Sequence, residues 1–170
     1  MKLEKHIRAI PDFPKPGILF RDITTLLKDK AAFRNAIDLL VKKFKNKKID
    51  AVVAVEARGF ILGGAMAHKL GAGFIPVRKK GKLPWKTDSA SYDLEYGKDT
   101  LEMHCDAIKP NSKILIVDDL LATGGTVKAV TELIEKQKGK ISGIAFLIEL
   151  ADLKGREKLK DYPVFSLIKY

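Results

Sequence analysis

The sequence predicts an α/β fold built on a mostly parallel, twisted sheet flanked by helices. Three observations carry this. Short apolar runs rich in β-branched residues, "IDAVVAV" (49–55) and "KILIVDD" (113–119), suit strands buried on both faces. Stretches with apolar residues at helical spacing fall at 30–46 and 125–138. The two kinds of segment alternate along the chain, as strand–helix–strand units do.

Taken in order, residues 1–10 place Leu3, Ile7 and Ile10 at helical spacing. "PDFPKPG" (11–17) has three prolines and a glycine, which makes a stiff, extended loop. "ILFRDIT" (18–24) reads as a short extended or loop segment. Residues 30–46 form an amphipathic helix with Phe33, Ile37, Leu40, Val41 and Phe44 on one face. After the strand at 49–55, a helix runs from about Gly59 to Leu70, and Gly71 just past its end suits a left-handed cap. "GFIPVRK" (73–79) is the next strand.

Residues 80–97 show no period and many turn formers, so they read as a long loop. Loops beyond about 12–15 residues are uncommon unless functional or disordered. "TLEMHCDAI" (100–108) alternates like a strand, and 113–119 is a buried one. The helix at about 125–138 turns Val127, Val130, Leu133 and Ile134 inward. "ISGIAFLIEL" (141–150) is a strand, "GREKLK" (155–160) a short helix or turn, and "VFSLI" (164–168) a closing strand. With no internal repeat and no linker, residues 1–170 read as one domain.

The chain has 170 residues, with 46% apolar and 31% charged, an ordinary globular balance. A single cysteine, Cys105, allows no disulfide within the chain and favours a reducing, cytoplasmic compartment. The N-terminus lacks the apolar core of a secretory signal, and no run of about 18 apolar residues predicts a membrane span. The net charge of +11 has three readings: a nucleic-acid surface, a lysine-rich solvated surface as in "KKFKNKK" (42–48), or a site for a heavily phosphorylated small molecule.

The motif "ILIVDDLLATGGT" (114–126) bears on that choice. Ala122, Thr123, Gly124, Gly125 and Thr126 lie between a strand and a helix N-terminus. Glycines there let several N–H groups converge, and the helix dipole adds about half a positive charge. This is a phosphate cradle. It lacks GxxxxGK[ST] and carries no lysine, so it suits a monophosphate. Asp118 and Asp119 end the preceding strand. A ribose with its 5′-phosphate in the cradle would offer its two hydroxyls to these carboxylates, which could also hold Mg²⁺ directly or through water. The plainer alternative makes Asp118 a turn cap and Asp119 a surface residue.

This motif resembles the phosphoribosyl pyrophosphate (PRPP) signature of the type I phosphoribosyltransferases. "DFPKPGILFRDIT", "EARGF", "RKKGKLP", "SYDLEYG", "LEMHCDAIKP" and "LKGREKL" resemble, in order, the motifs of the branch that acts on adenine. The resemblance covers roughly residues 8 to 170. It implies the type I fold, with a small N-terminal hood (about 1–27) and a mobile lid (about 80–97). It implies transfer of ribose 5-phosphate from PRPP to adenine, giving AMP and pyrophosphate, with Mg²⁺ carried mainly by PRPP.

Roles follow by match. Arg58 is catalytic and grips pyrophosphate together with Arg78, Lys79 and Lys82; a structural ion pair is the alternative for Arg58. Ser91 and Tyr92 belong to the lid, whose alternative is a disordered loop. Glu102 lies near N7 of the purine and assists N9, unless it faces solvent. Leu19, Phe20 and Arg21 wall the adenine, and Leu120 packs on its other face; the alternative for Leu19 and Phe20 is core. His6, His68, His104 and Cys105 show no zinc spacing. Trp85 has no matching role.

The resemblance implies a homodimer with the "EARGF" region near the contact, no nucleic-acid partner and no membrane. Two rivals remain: an enzyme acting on an oxopurine, and a PRPP-sensing regulator, which would need a DNA-binding segment. A positive field that steers PRPP accounts for part of the charge.

Overall fold

A computed structural model describes residues 1–93 and 97–170. The chain forms two compact units, Met1–Leu39 and Leu40–Tyr170. The hood expected over about 1–27 falls within the first.

The first unit opens with a short 3₁₀ helix, Leu3–His6. Strands β1 (Arg8–Ile10) and β2 (Phe20–Asp22) follow and pair antiparallel, with Arg8 opposite Asp22 and Ile10 opposite Phe20. The helical spacing of 1–10 is thus realised over four residues only. Pro11 turns the chain out of helical geometry, and β2 supplies ladder partners instead. The proline loop is closed by the Gly17 N–H, which donates to Asp12 Oδ1 at 2.7 Å. Phe13 stands edge-on to Phe20 at 5.1 Å between ring centroids. Helix α1 (Thr24–Lys28) leads to α2 (Lys30–Phe44). Asp29 caps α2, its Oδ1 accepting from the N–H groups of Ala31 and Ala32, both at 2.9 Å.

The second unit contains β3 (Ala51–Val55), α3 (Arg58–Leu70), β4 (Gly73–Lys79), β5 (Thr87–Asp93), β6 (Lys98–His104), β7 (Lys113–Leu121), α4 (Gly125–Lys136), β8 (Lys140–Glu149) and β9 (Val164–Lys169). The sheet order is β5-β6-β4-β3-β7-β8-β9. Strands β4, β3, β7, β8 and β9 run parallel, while β6 joins β4 antiparallel and β5 returns antiparallel beside β6.

The hairpin corrects the reading of 80–97 as a loop. Seven of those residues form β5, with register from Thr87 opposite His104 to Asp93 opposite Lys98. Polar residues fill this strand, so its hydropathy carried no strand signal; pairing with β6 decides its structure. Within the lid segment, Leu94, Glu95 and Tyr96 of "SYDLEYG" lie outside the described residues.

Strand alternation distributes the core. Val53 and Val55 join Ile114 and Ile116 in a buried cluster with Val127, Val130, Leu133 and Ile134 of α4. Each such side chain contributes about 1.5–3 kcal/mol on burial. Val52 and Ala54 point to the opposite face, where α3 packs. A methyl on Gly63 would lie 2.6 Å from the Ala54 side chain, so glycine sets how closely α3 approaches. With helices on both faces, the parallel strands leave their carboxyl ends open on one edge.

Candidate functional site

Charged residues gather at that edge. Beyond β3, β4 and β7 lies a cavity of about 490 Å³, lined among others by Glu56, Arg58, Lys79, Tyr92, Asp118 and Asp119. Leu120, Ala122 and Thr126 continue its wall. A smaller adjoining cavity, about 70 Å³, is bounded by Ala122, Thr123, Gly124 and Thr126 and also touches Asp118. Acids and cradle therefore share one space.

The cradle is made by a single backbone reversal. Gly124 takes a φ of 81° and caps α4, whose first residue is Gly125. This left-handed conformation favours glycine. The first turn of α4 lines the smaller cavity with Thr126 and Val127, beside Thr123, and a helix N-terminus carries partial positive charge.

The two aspartates have different surroundings. Asp119 is 7% exposed, and its Oδ2 lies 2.6 Å from Arg58 Nε. Asp118 accepts the Asp119 N–H at 2.9 Å on Oδ1. Its carboxylate rests against α3 where only glycine fits, since a methyl on Gly59 would lie 2.8 Å from that oxygen. Desolvation, and then the charge of Asp119, push the Asp118 carboxyl well above the usual range. The ion pair weighed as an alternative for Arg58 thus exists, and it lies on the cavity wall.

The basic segment after β4 divides by strand alternation. Lys79 sits opposite Leu101 in the β4–β6 register, and both line the cavity. Lys79 Nζ lies 3.1 Å from Asp99 Oδ2. That hydrogen bond and charge raise the lysine's pKa; burial works against the Asp99 carboxyl, yet Lys79 holds it below its ordinary value. Arg78 and Glu102 form the neighbouring register pair and so point to the other face. Arg78 Nη2 donates to Glu56 Oε2 at 3.1 Å, and its Nη1 to the carbonyl of Lys82. Glu102 is buried and accepts the Gly81 N–H at 3.0 Å. The structure therefore brings Arg58, Lys79, Tyr92, Asp118, Asp119 and Leu120 together, but not Arg78, Lys82 or Glu102.

Ser91 hydrogen-bonds Thr100 across the hairpin, Oγ to Oγ1 at 2.9 Å, while Tyr92 turns the other way into the cavity. In the first unit, Leu19 is 46% exposed rather than core, and Phe20 and Arg21 lie on β2. Among the described residues no three His, Cys, Asp or Glu side chains cluster as metal ligands.

The model of the phosphoribosyl transferase domain family matches residues 22–170. The chain belongs to the phosphoribosyltransferase family. Its similarity is to members named adenine phosphoribosyltransferase. The one from Desulfitobacterium hafniense is 58% identical over 170 residues, all of this chain and 98% of the relative. The crystal structure of adenine phosphoribosyltransferase from Thermoanaerobacter pseudethanolicus superposes with a TM-score of 0.97 at 51% identity, covering 99% of this chain and 98% of that one. The Saccharomyces cerevisiae adenine phosphoribosyltransferase, solved with an imino-altritol bisphosphate and adenine, superposes at 0.92 with 42% identity, covering 98% and 96%.

Two residues of this phosphoribosyltransferase site escaped the sequence reading. Glu56, at the end of β3, lines the cavity and organises the basic segment. Its Oε1 accepts the Lys79 N–H at 2.8 Å and its Oε2 accepts from Arg78. Burial opposes its ionisation, but these donors hold its carboxyl below the ordinary value. Its signal, an acid directly after an apolar strand, is the one that marked Asp118. Asp99 is set by the hairpin register alone and had no signal.

Proposed function

We infer that this chain transfers the 5-phosphoribosyl group of PRPP to N9 of adenine, releasing pyrophosphate and forming AMP, a purine-salvage reaction. The observation that carries this reading is the joining of a monophosphate cradle, a carboxylate pair and Arg58 in one cavity, in a chain 58% identical end to end to an adenine phosphoribosyltransferase.

The residues then divide the work. Ala122–Thr126 receive the 5′-phosphate on the α4 N-terminus. Asp118 and Asp119 accept from the ribose hydroxyls, and their negative charge favours the oxocarbenium character that develops at the anomeric carbon. Arg58, its guanidinium oriented by Asp119, and Lys79 take the departing pyrophosphate. Arg78 and Lys82 support that segment through Glu56, and Glu102 fixes it by holding Gly81. Leu120 offers an apolar wall for the purine ring. Recognition of the adenine edge is assigned to Leu19, Phe20 and Arg21.

Mg²⁺ suits this donor set as a passenger of PRPP. Asp118 and Asp119 could hold it directly or through water, and when bound it would supply charge neutralisation of the leaving pyrophosphate. Residues 80–97, with Ser91 and Tyr92, serve as the lid: Tyr92 already lies on the cavity wall.

A homodimer is the assembly this reading favours. Phe60 and Phe74 stack edge-on at 5.6 Å, Phe74 and His104 line a common cavity, and Trp85 stands edge-on to His104. Ile61, Phe74 and Trp85 are exposed apolar side chains, and Phe74 lies against Phe60 of "EARGF". The exposed free thiol of Cys105 suits a reducing, cytoplasmic location.

The test is pyrophosphate release with PRPP and Mg²⁺ in the presence of adenine, hypoxanthine, guanine or no base. Release with adenine alone supports the reading. Release with an oxopurine would overturn the base assignment, and binding of PRPP without turnover would make the chain a sensor.

A further inference from the structure

The last residue of β8 is a buried acid. Glu149 is 5% exposed, in a strand whose neighbours are apolar. Arg156 meets it with both edges of the guanidinium fork, Nε to Oε1 and Nη2 to Oε2, each at 2.7 Å. The remaining donors also go inward: Nη1 to the Val164 carbonyl at 3.0 Å and Nη2 to Ser166 Oγ at 3.3 Å. One side chain thus ties the 3₁₀ helix Gly155–Leu159 to β8 and to the edge strand β9. Burial of a charge pair costs desolvation, and an apolar pair would serve stability as well. What the fork supplies is a fixed direction and distance.

That fixed position bears on the residue next to it. Gly155 is buried, and a methyl on it would collide with the Ala122 carbonyl oxygen and lie 3.1 Å from the Gly124 nitrogen. The helix held by Arg156 is the floor on which the phosphate loop rests.

We propose that Arg156, through its bidentate pair with Glu149, is a positioning residue for the 5′-phosphate loop Ala122–Thr126. It touches no substrate; it sets the height of the Gly155 backbone, and with it the direction of the loop's N–H groups. The inference rests on the assignment of that loop to the 5′-phosphate.

The test uses the full chain with Arg156→Lys, Glu149→Gln and the double substitution Glu149→Met/Arg156→Met, beside the loop variant Thr126→Ala. Four quantities are read: Tm, KM for PRPP, KM for adenine, and Kd for ribose 5-phosphate. The expected result is about a tenfold rise in KM for PRPP and in Kd for ribose 5-phosphate, with KM for adenine unchanged. The double substitution regains Tm without regaining either constant. Recovery of PRPP binding along with Tm would overturn the proposal, since the pair would then serve stability alone. If Thr126→Ala weakens ribose 5-phosphate binding and Arg156→Lys does not, the positioning role falls by itself. If Thr126→Ala leaves that binding intact, the loop assignment falls and takes the proposal with it.

Discussion

Gly124 and Gly155 face each other backbone to backbone: a methyl added to Gly124 would lie 2.5 Å from the Gly155 carbonyl oxygen. The left-handed φ of Gly124 adds a second demand on the same position. Gly124→Ala should therefore cost about 1–2 kcal/mol for conformation alone, plus the displacement of Gly155. The expected outcome is a Tm lower by several degrees and a KM for PRPP raised about tenfold. Calorimetry and initial rates check it.

Arg58→Ala removes the partner of a carboxylate that is 7% exposed. Because the arginine itself is partly exposed, solvent screens the loss, and we expect about 1–2 kcal/mol of destabilisation. Activity should fall much further, by roughly 10²–10³ in kcat, as when a donor to developing charge is lost. Arg58→Lys keeps the charge without the fork and should recover only a small part. Steady-state rates in both reaction directions check it.

Asp118 sets a pH dependence of stability with a definite sign. Its folded pKa lies well above the ordinary value of 3.8. The folded state then holds its proton where the unfolded chain has released it. Stability contributed by this group is full below the unfolded value and is lost as pH rises through the folded one. Asp118→Asn should remove that decline, so the variant is more stable than the parent at alkaline pH while losing activity. Denaturant midpoints measured across pH check it.

Phe74→Asp places a charge beside Phe60, on the surface proposed above as the dimer contact. The expected outcome is a shift from dimer to monomer, read by sedimentation or light scattering. A dimer of unchanged strength would place the contact elsewhere.

Much of the fold was legible from residue patterns. The runs at 51–55 and 113–121 are strands because β-branched side chains fill a sheet covered on both faces, and α3 ends at Gly71 in the left-handed geometry expected there. The acids and the cradle were legible for the same reason: polar residues directly after an apolar strand must face the open edge. Strand β5 was not, because "TDSASYD" has no hydropathy contrast and acquires structure only from β6. Nor was the division of Arg78 from Lys79. Adjacent residues on a strand point to opposite faces, and which one meets the cavity depends on register. Glu102 turned away from the cavity for that reason.

Helix α4 carries a different kind of consequence. Its N-terminus lines the smaller cavity, which we assign to the 5′-phosphate. At its far end, Lys136 pairs with Asp88 of β5 at 2.6 Å, and Gln137 donates to Asp88 and to the His104 carbonyl. One helix thus spans from the proposed phosphate site at one tip to the hairpin base at the other. If the hairpin's hold on that helix changes phosphate affinity, phosphate must change the strength of that hold by the same free energy, because linkage between two sites is reciprocal. Loosening Asp88 would then be felt as weaker phosphate binding across the length of a helix.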